Sequence, residues 1–323
     1  MKVIVVNQTG GPDVMAVDDI QLGTPGAGEV LIRNLAIGVN YTDVYSRSGA
    51  FPPAQLPFIP GKEAAGEVVA VGKDVDDFKP GDRVAYVETP GAYAEFNVVP
   101  VHFVVHLPDT VSYVTAAASL LKGLTAHFLI HKTFQVEAGH TVLIHAAAGG
   151  VGSILTQWAK HKGARVIGTV GSEEKGRIAR QNGCDEVINY REEDFTTKVR
   201  SMTGGEGCHV VYDSVGKYTF PGSLDCLRPF GYFVSFGFAS GPIPPFDIRM
   251  LVEKGSLYAT WPGLTMYLHN RNDVISMSAE LFEAIGKGII RIPAPDHLAL
   301  EDVAEAHRQL ESRENTRTMV LIP

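Results

Sequence analysis

The sequence predicts a two-domain α/β protein, in which a doubly wound parallel sheet is joined to a mostly antiparallel β-domain. The first observation is a glycine-rich turn, Ala146–Gly152, between an apolar strand and a helix. The second is the alternation of strands and helices that follows this turn. The third is a series of short strands separated by Pro-Gly turns in residues 1–122.

The glycine-rich turn joins the predicted strand Thr141–Ile144 to the predicted helix Val151–His161. Gly149 and Gly150 let the main chain turn and approach a phosphate, and Gly152 lets the helix pack closely on the strand. The N-terminus of that helix presents free N–H groups and a partial positive charge. This context favours a dinucleotide pyrophosphate site over an ordinary glycine-rich turn.

Further predicted strands and helices alternate after the turn and assign residues 123–264 to one dinucleotide-binding domain. They are Ala164–Thr169 (strand), Glu173–Gln181 (helix), Glu186–Asn189 (strand), Glu192–Arg200 (helix), His209–Asp213 (strand) and Tyr232–Phe236 (strand).

Residues 1–122 lack this alternation and predict a β-domain. Its strands are Val3–Val6, Glu29–Ala36, Glu63–Val71, Arg83–Val87 and Ala92–Val99, and a helix at about Val111–Phe128 follows them. After residue 264 we expect two amphipathic helices and a strand, at Glu280–Lys287, Leu300–Glu311 and Met319–Ile322. Because these elements follow the sheet, we expect residues 265–323 to pack on the first domain.

The composition is that of a globular protein, with 45% hydrophobic and 20% charged residues in 323. No apolar run reaches the roughly 18 residues that span a bilayer, and the N-terminus lacks a signal-peptide pattern, so we expect no membrane association. The cysteines, Cys184, Cys208 and Cys226, lack zinc-site spacing and favour a reducing compartment, the cytoplasm. The net charge of −8 argues against nucleic acid as a partner.

The end of the second strand favours NADPH over NADH. A protein that selects NAD usually places a carboxylate there, but this strand ends near Gly171 with none. Lys175 and Tyr190 could converge on a 2′-phosphate. Glu173 and Glu174 are the counter-argument, although acidic residues in a first helical turn usually just complement the helix dipole.

Several stretches match one family's pattern with its spacing intact. They are Gly139–Leu143, Ala147–Gly152 and Gln157–Lys160, supported by Gly38–Asp43, Pro60–Gly66, Leu121–Ala126, Val211–Gly216, Val234–Gly237 and Glu311–Arg313. Over essentially its whole length the chain resembles the zinc-free quinone oxidoreductases of the zeta-crystallin type, in the medium-chain dehydrogenase/reductase superfamily. The resemblance implies a Rossmann-type nucleotide domain, a GroES-like β-domain, NADPH as cofactor and direct hydride transfer to a quinone.

The resemblance also implies roles for single residues. Asn40 and Tyr45 would lie beside the nicotinamide and the acceptor, and either could donate a hydrogen bond to a quinone oxygen. Phe51 would stack on the quinone, without the hydroxyl of the Tyr that close relatives often carry. Further cofactor contacts are implied for Thr125, Ala148, Gly149, Gly150, Val151, Ser214, Phe236, Gly237 and Arg313, as well as for Asn40. From the residues alone, Asn40 could instead cap a turn and Tyr45 could be a half-buried core aromatic.

No metal is expected. Asn40 and Lys62 stand where zinc-dependent members of the superfamily have a Cys and a His ligand, and neither type is a usual zinc ligand. An electron-poor acceptor, which needs no metal to polarise it, is therefore expected.

Two other functions stay open. One is NADPH-dependent reduction of activated C=C bonds, as in 2-alkenals or enones, which would need a proton donor to carbon. The other is an RNA-binding or structural role, as in some zeta-crystallin relatives, against which the acidic balance argues. Gly255–Thr260 is expected to form an edge strand that pairs across a two-fold axis, giving a homodimer.

Overall fold

The computed structural model describes all residues, 1–323, and contains fifteen strands and ten α-helices. The strands are β1 (Lys2–Val6), β2 (Met15–Asp19), β3 (Glu29–Gly38), β4 (Glu63–Val71), β5 (Arg83–Val87), β6 (Phe96–Pro100), β7 (Val104–His106), β8 (Thr141–Ile144), β9 (Arg165–Val170), β10 (Glu186–Asn189), β11 (Cys208–Asp213), β12 (Leu227–Ser235), β13 (Tyr258–Thr260), β14 (Asp296–Ala299) and β15 (Met319–Ile322). The helices are α1 (Tyr41–Ser48), α2 (Tyr113–Phe128), α3 (Gly150–His161), α4 (Glu173–Gln181), α5 (Phe195–Met202), α6 (Gly222–Asp225), α7 (Arg249–Glu253), α8 (Leu264–Tyr267), α9 (Arg271–Gly286) and α10 (Val303–Ser312).

The chain divides into two units. Unit 1 comprises Met1–Lys122, Leu268–Gly288 and Ile292–Pro323, and unit 2 comprises Gly123–Tyr267 and Ile289–Arg291. The sequence places the second crossing at 264/265, whereas the chain crosses at Tyr267/Leu268 and visits unit 2 once more at residues 289–291.

Unit 2 is built on a six-stranded parallel sheet with the order β10-β9-β8-β11-β12-β13. After their first residues, Thr141 and Arg165, the central strands β8 and β9 are buried and mostly apolar, as expected where helices cover both faces of a parallel sheet. The strand order reverses beside β8, and in such sheets ligands bind at the carboxyl ends of the strands next to that point. The predicted doubly wound, Rossmann-type α/β sheet is confirmed.

Unit 1 contains a seven-stranded sheet with the order β14-β15-β3-β4-β5-β7, in which β6 also pairs with β3. All its pairings are antiparallel except that of β14 with β15. A separate antiparallel pair is formed by β1 and β2. The core includes Ile32, Val84 and Leu321, and α10 covers it through Val303 and Ala306. The predicted mostly antiparallel β-domain is confirmed.

Three strands of unit 1 were not predicted: β2, β7 and β14. β2 carries four exposed residues out of five, so it shows no apolar alternation. β7 has only three residues and follows a short 3₁₀ turn. The predicted strand Ala92–Val99 begins only at Phe96, because Tyr93 uses its main-chain N–H and carbonyl on Pro60 and Ile4.

Several helix boundaries also differ from the prediction. The helix expected at Leu300–Glu311, for example, is a 3₁₀ turn, Leu300–Asp302, followed by α10. The helix expected at Glu192–Arg200 begins at Phe195, because the carboxylate of Asp194 accepts a hydrogen bond from the Thr197 N–H at 3.0 Å and caps it. The helix expected at Glu280–Lys287 is longer and begins at Arg271, behind the capping side chain of Asn270.

One helical segment exceeds the apolar length expected from sequence. The segment Tyr113–Thr133 consists of α2 and the π-helical turn after it and has 21 residues; an 18-residue window in it has a mean hydropathy of 1.3, enough by length and composition to cross a membrane. Single polar residues such as Lys122 interrupt its apolar run and conceal this length. Since 78% of that window is buried inside the protein, the segment has the character of a core helix.

Candidate active site

The turn between β8 and α3 is built around a close approach of the helix to the main chain that follows the strand. A Cβ atom on Gly152 would lie 2.2 Å from the carbonyl oxygen of Ala146, so only glycine fits. The predicted role of Gly152 in close packing is therefore confirmed. The tight turn itself falls elsewhere than predicted: Ala146 has the left-handed φ of +51°, whereas neither Gly149 nor Gly150 has a positive φ.

The N-terminus of α3 is accessible. Gly149 and Gly150 are exposed, Val151 is half-buried and Ala148 is nearly buried. The helix begins at Gly150, one residue before the predicted start. Main-chain N–H groups at such a helix start, with the helix dipole behind them, suit an anionic group.

A buried polar network lies at the carboxyl ends of β8, β9 and β11. The two ring nitrogens of His145 lie 2.8 Å from Thr169 Oγ1 and 3.0 Å from Ser223 Oγ. Ser223 Oγ donates to Asp213 Oδ2 at 2.8 Å, and Asp213 Oδ1 accepts from the Val215 N–H. Burial lowers the pKa of His145. This network, which sequence reasoning missed, fixes the loop that carries Ser214.

Three residues predicted to select the cofactor lie together at the end of β9. A Cβ on Gly171 would lie 2.5 Å from the hydroxyl oxygen of Tyr190, so the phenol covers this glycine. Ser172 caps α4 by accepting a hydrogen bond from the Lys175 N–H, which fixes Lys175 on the first turn. Glu173, on the same turn, is exposed.

Other predicted cofactor residues lie at the ends of neighbouring strands, and one lies on a helix. Gly237 approaches Ser214 so closely that a Cβ would lie 3.0 Å from the Ser214 carbonyl oxygen. The Phe236 N–H donates to the Asp213 carbonyl at 2.9 Å, which joins the ends of β11 and β12. Thr125 lies on α2 and is half-buried.

In unit 1, Asn40 stands immediately before α1 and is 4% exposed. Its main-chain N–H donates to Asp43 Oδ2 at 2.9 Å. Asn40 and Asp43 form a capping box at the start of α1. In addition, Asn40 Nδ2 donates to Glu63 Oε2 at 2.8 Å, and Oδ1 accepts from Lys122 Nζ at 2.7 Å. Asn40 is thus the N-cap residue of α1, the capping position that the residues alone allowed, and its amide also contacts Glu63 and Lys122.

The groups that hold Asn40 are themselves buried. Glu63 is fully buried, its Oε1 accepts from the Leu121 N–H at 2.6 Å, and its Oε2 lies 3.6 Å from Lys122 Nζ. Burial raises the pKa of Glu63, and the positive charge of Lys122 opposes this shift. Sequence reasoning missed both residues. The available signal was a charge inside an otherwise apolar segment, since such charges are buried only when paired.

Asp43 extends this network toward α10. The Tyr93 hydroxyl donates to Asp43 Oδ2 at 2.9 Å and lies 3.0 Å from Nε2 of His307. Burial raises the pKa of Asp43 to about 7. Burial, together with the nearby Arg47 cation, lowers the pKa of His307 to about 3. The main chain of Asn40 is therefore held by a buried chain of hydrogen bonds.

Tyr45 and Phe51 form an aromatic pair beside α1. Their rings meet edge to face with centroids 5.5 Å apart, and the Phe51 N–H donates to the Tyr45 carbonyl. Tyr45 is half-buried, whereas Phe51 is 50% exposed.

Arg313 follows α10 and has a left-handed φ of +57°. Burial raises the pKa of Tyr41 to about 12, and the positive charge of Arg313 opposes this shift.

Lys62 and Asn40, at the positions where zinc-dependent relatives have ligands, are engaged by other side chains. Lys62 Nζ lies 3.7 Å from Glu88 Oε2, and the oxygen of Asn40 is occupied by the Lys122 ammonium. A fixed ammonium at Asn40 would repel a metal cation.

Comparisons with known proteins agree with this geometry. The family model described as a zinc-binding dehydrogenase matches residues 150–281, and the alcohol dehydrogenase GroES-like domain matches residues 26–109. A quinone oxidoreductase of Pseudomonas aeruginosa is 48% identical over 315 residues, which cover 97% of each chain. The chain belongs to the quinone oxidoreductase family of the medium-chain dehydrogenase/reductase superfamily.

Two further relatives show the range of this quinone oxidoreductase family. The Escherichia coli quinone oxidoreductase, solved in complex with NADPH, has a TM-score of 0.98 and 42% identity, with all of both chains covered. A 2-haloacrylate reductase of Burkholderia sp is 42% identical, over 99% of this chain and 98% of its own. The resemblance inferred from sequence is confirmed.

Proposed function

We propose that this protein reduces quinones with NADPH by direct hydride transfer. The observation that carries the proposal is the full-length likeness to the quinone oxidoreductase of Escherichia coli that was solved with NADPH. The residues of unit 2 supply the physical support, because they provide an exposed helix N-terminus and a cation beside an uncharged strand end.

The residues present fit NADPH. The main chain of residues 148–151 would hold the pyrophosphate, while Lys175 and Tyr190 would hold the 2′-phosphate. Further contacts are proposed from residues at strand ends and helix ends: Asn40, Thr125, Gly171, Ser214, Phe236, Gly237 and Arg313. When bound, NADPH supplies the hydride from C4 of its nicotinamide.

For the acceptor, we propose that Asn40 and Tyr45 are the hydrogen-bond donors. A quinone oxygen gains negative charge as it is reduced, and a pre-oriented donor stabilises that charge. The half-exposed ring of Phe51 offers a flat apolar surface on which a quinone can stack. We propose no metal, because Lys62 and Asn40 are poor metal ligands and are engaged by Glu88 and Lys122.

A second candidate function is the reduction of activated C=C bonds, favoured by the 42% identity to a 2-haloacrylate reductase. Steady-state NADPH oxidation across a panel of quinones and 2-alkenals separates the two. We expect the highest kcat/KM with quinones. Turnover of 2-alkenals with none of the quinones would favour the second candidate, and turnover of neither class would refute both. A filter-binding assay with titrated salt tests the RNA-binding alternative, for which we expect no specific retention.

We propose that the protein is a homodimer. β13 is the last strand of the unit 2 sheet, and all three of its residues are exposed. An open, exposed edge needs pairing or protection, and a second copy can supply it across a two-fold axis. Light scattering at micromolar concentration should give about twice the chain mass of 34.8 kDa. A mass of one chain would refute the dimer.

We further propose that the protein acts in the cytoplasm, since its three cysteines are unpaired and buried.

A further inference from the structure

The amide of Asn40 has neighbours that permit one orientation. Lys122 Nζ donates to its Oδ1 at 2.7 Å, and its Nδ2 donates to Glu63 Oε2 at 2.8 Å. An ammonium has only donors, and an ionised carboxylate has only acceptors. Turning the amide over would therefore place N–H against N–H and oxygen against oxygen, and both hydrogen bonds would be lost.

Glu63 is surrounded as an ionised carboxylate would be. Its hydrogen-bonding neighbours are the Leu121 N–H, the Asn40 amide N–H and the Lys122 ammonium, and each of them is a donor. The ammonium lies close enough to balance the carboxylate charge, at 3.6 Å. The pair thus buries a positive and a negative charge on opposite ends of one amide.

We propose that Glu63 and Lys122 are positioning residues, which fix the Asn40 amide so that its second Nδ2 hydrogen is the donor offered to the acceptor. The Lys122 charge at Oδ1 also polarises the amide and strengthens this donor. The proposal rests on the proposed function, in which Asn40 donates to the oxygen that gains charge. It adds two residues to that site which act only through Asn40.

Stability alone does not account for the pair. Glu63 is fully buried and the Lys122 side chain is 8% exposed, and taking two such charges out of water offsets much of their attraction. Removing one partner leaves the other charge buried and unpaired, but replacing both often costs little. Variants that remove both charges therefore separate orientation from folding.

The test uses the full-length protein in five forms: wild type, Glu63→Gln, Lys122→Met, the double variant Glu63→Gln/Lys122→Met, and Lys122→Arg. Lys160→Met is the matched control, because it removes a Lys–carboxylate pair, with Asp185, that does not involve Asn40. Four properties are measured: hydrogen exchange of the Asn40 side-chain amide by ¹⁵N NMR, assigned with Asn40→Ala, kcat/KM for a benzoquinone, the NADPH Kd and the melting temperature.

In the double variant the side chains at 63 and 122 no longer dictate one amide orientation. We expect Asn40 amide exchange to accelerate and kcat/KM to fall, each by about 10-fold, with the NADPH Kd within about twofold of wild type. The melting temperature should be closer to wild type than that of either single variant. Lys122→Arg should recover most of the activity, since it keeps a cationic donor, and Lys160→Met should behave as wild type.

Wild-type amide exchange and kcat/KM in the double variant would overturn the proposal. So would a loss of activity that follows melting temperature across all variants, since this is the mark of a structural role. If the wild-type protein reduces no quinone, the proposed function is refuted. The positioning role of Glu63 and Lys122 is tested separately by amide exchange, and unchanged exchange in the double variant would refute it.

Discussion

Lys175→Ala gives the sharpest test of cofactor choice. Lys175 lies on the first turn of α4, where Ser172 fixes its main chain, and Gly171 lies under the Tyr190 phenol. A charge-assisted hydrogen bond to a phosphate is worth about 1.5–3 kcal/mol, which corresponds to a roughly 10- to 100-fold change in binding. Glu173, which is exposed on the same turn, is unchanged in this variant. We expect the NADPH constant to rise by that factor and the NADH constant to change little.

The assay is initial-rate kinetics with NADPH and NADH at fixed quinone, repeated by calorimetric titration. Arg177→Ala is the matched control, because it removes an exposed cation from the same helix. Gly171→Ala is an independent check: its methyl group would lie 2.5 Å from the Tyr190 oxygen and displace the phenol, so NADPH should again be weakened more than NADH. Equal losses for both cofactors in Lys175→Ala would refute the reasoning.

The remaining predictions concern unit 1. Tyr45→Phe should lower the quinone kcat/KM by about 10-fold or more with NADPH binding unchanged, whereas Asn40→Ala should weaken both NADPH binding and quinone kcat/KM. Wild-type kinetics in the two variants would show that neither side chain donates to the quinone. Prolonged dialysis against a strong chelator should leave turnover intact, and activity restored by added zinc would contradict the roles of Asn40 and Lys62. Burial raises the pKa of Asp43 to about 7, so its stabilising effect is complete below about pH 4 and is lost as the pH rises through about 7. Asp43→Asn should therefore raise the melting temperature more at pH 8 than at pH 5, and equal shifts at both would argue against a buried ionisable carboxyl.

The sequence predicted the structure best where a feature depends on residues that are close together in the chain. The helix Glu173–Gln181 and the strands Glu63–Val71, Glu186–Asn189 and Met319–Ile322 have the predicted bounds. Gly152 could be assigned from spacing because helix packing on a strand demands a residue without Cβ.

Other features depend on contacts between distant parts of the chain. Ala146, rather than a glycine, takes the left-handed turn, and no local preference indicates this. Glu63 and Lys122 meet Asn40 only after β4, α1 and α2 have folded together, so their pairing is not visible in sequence spacing. Tyr190 could be grouped with Gly171 because adjacent parallel strands end at the same edge.

A hydrogen-bond donor such as the Asn40 amide limits which acceptors can be reduced. An amide donor stabilises developing charge on an oxygen less strongly than a metal ion would, so the acceptor must already be electron-poor. Quinones and activated alkenes both meet that condition, and the donor alone does not separate them. The difference lies in the proton: a reduced quinone is protonated on oxygen, which exchanges with water, whereas a reduced alkene must receive its proton on carbon from a placed acid. The half-buried Tyr45 is the proposed donor that also carries an acidic proton. If Tyr45→Phe abolishes 2-alkenal reduction while quinone reduction falls only about 10-fold, the same hydroxyl serves as a hydrogen-bond donor in one reaction and as the acid in the other.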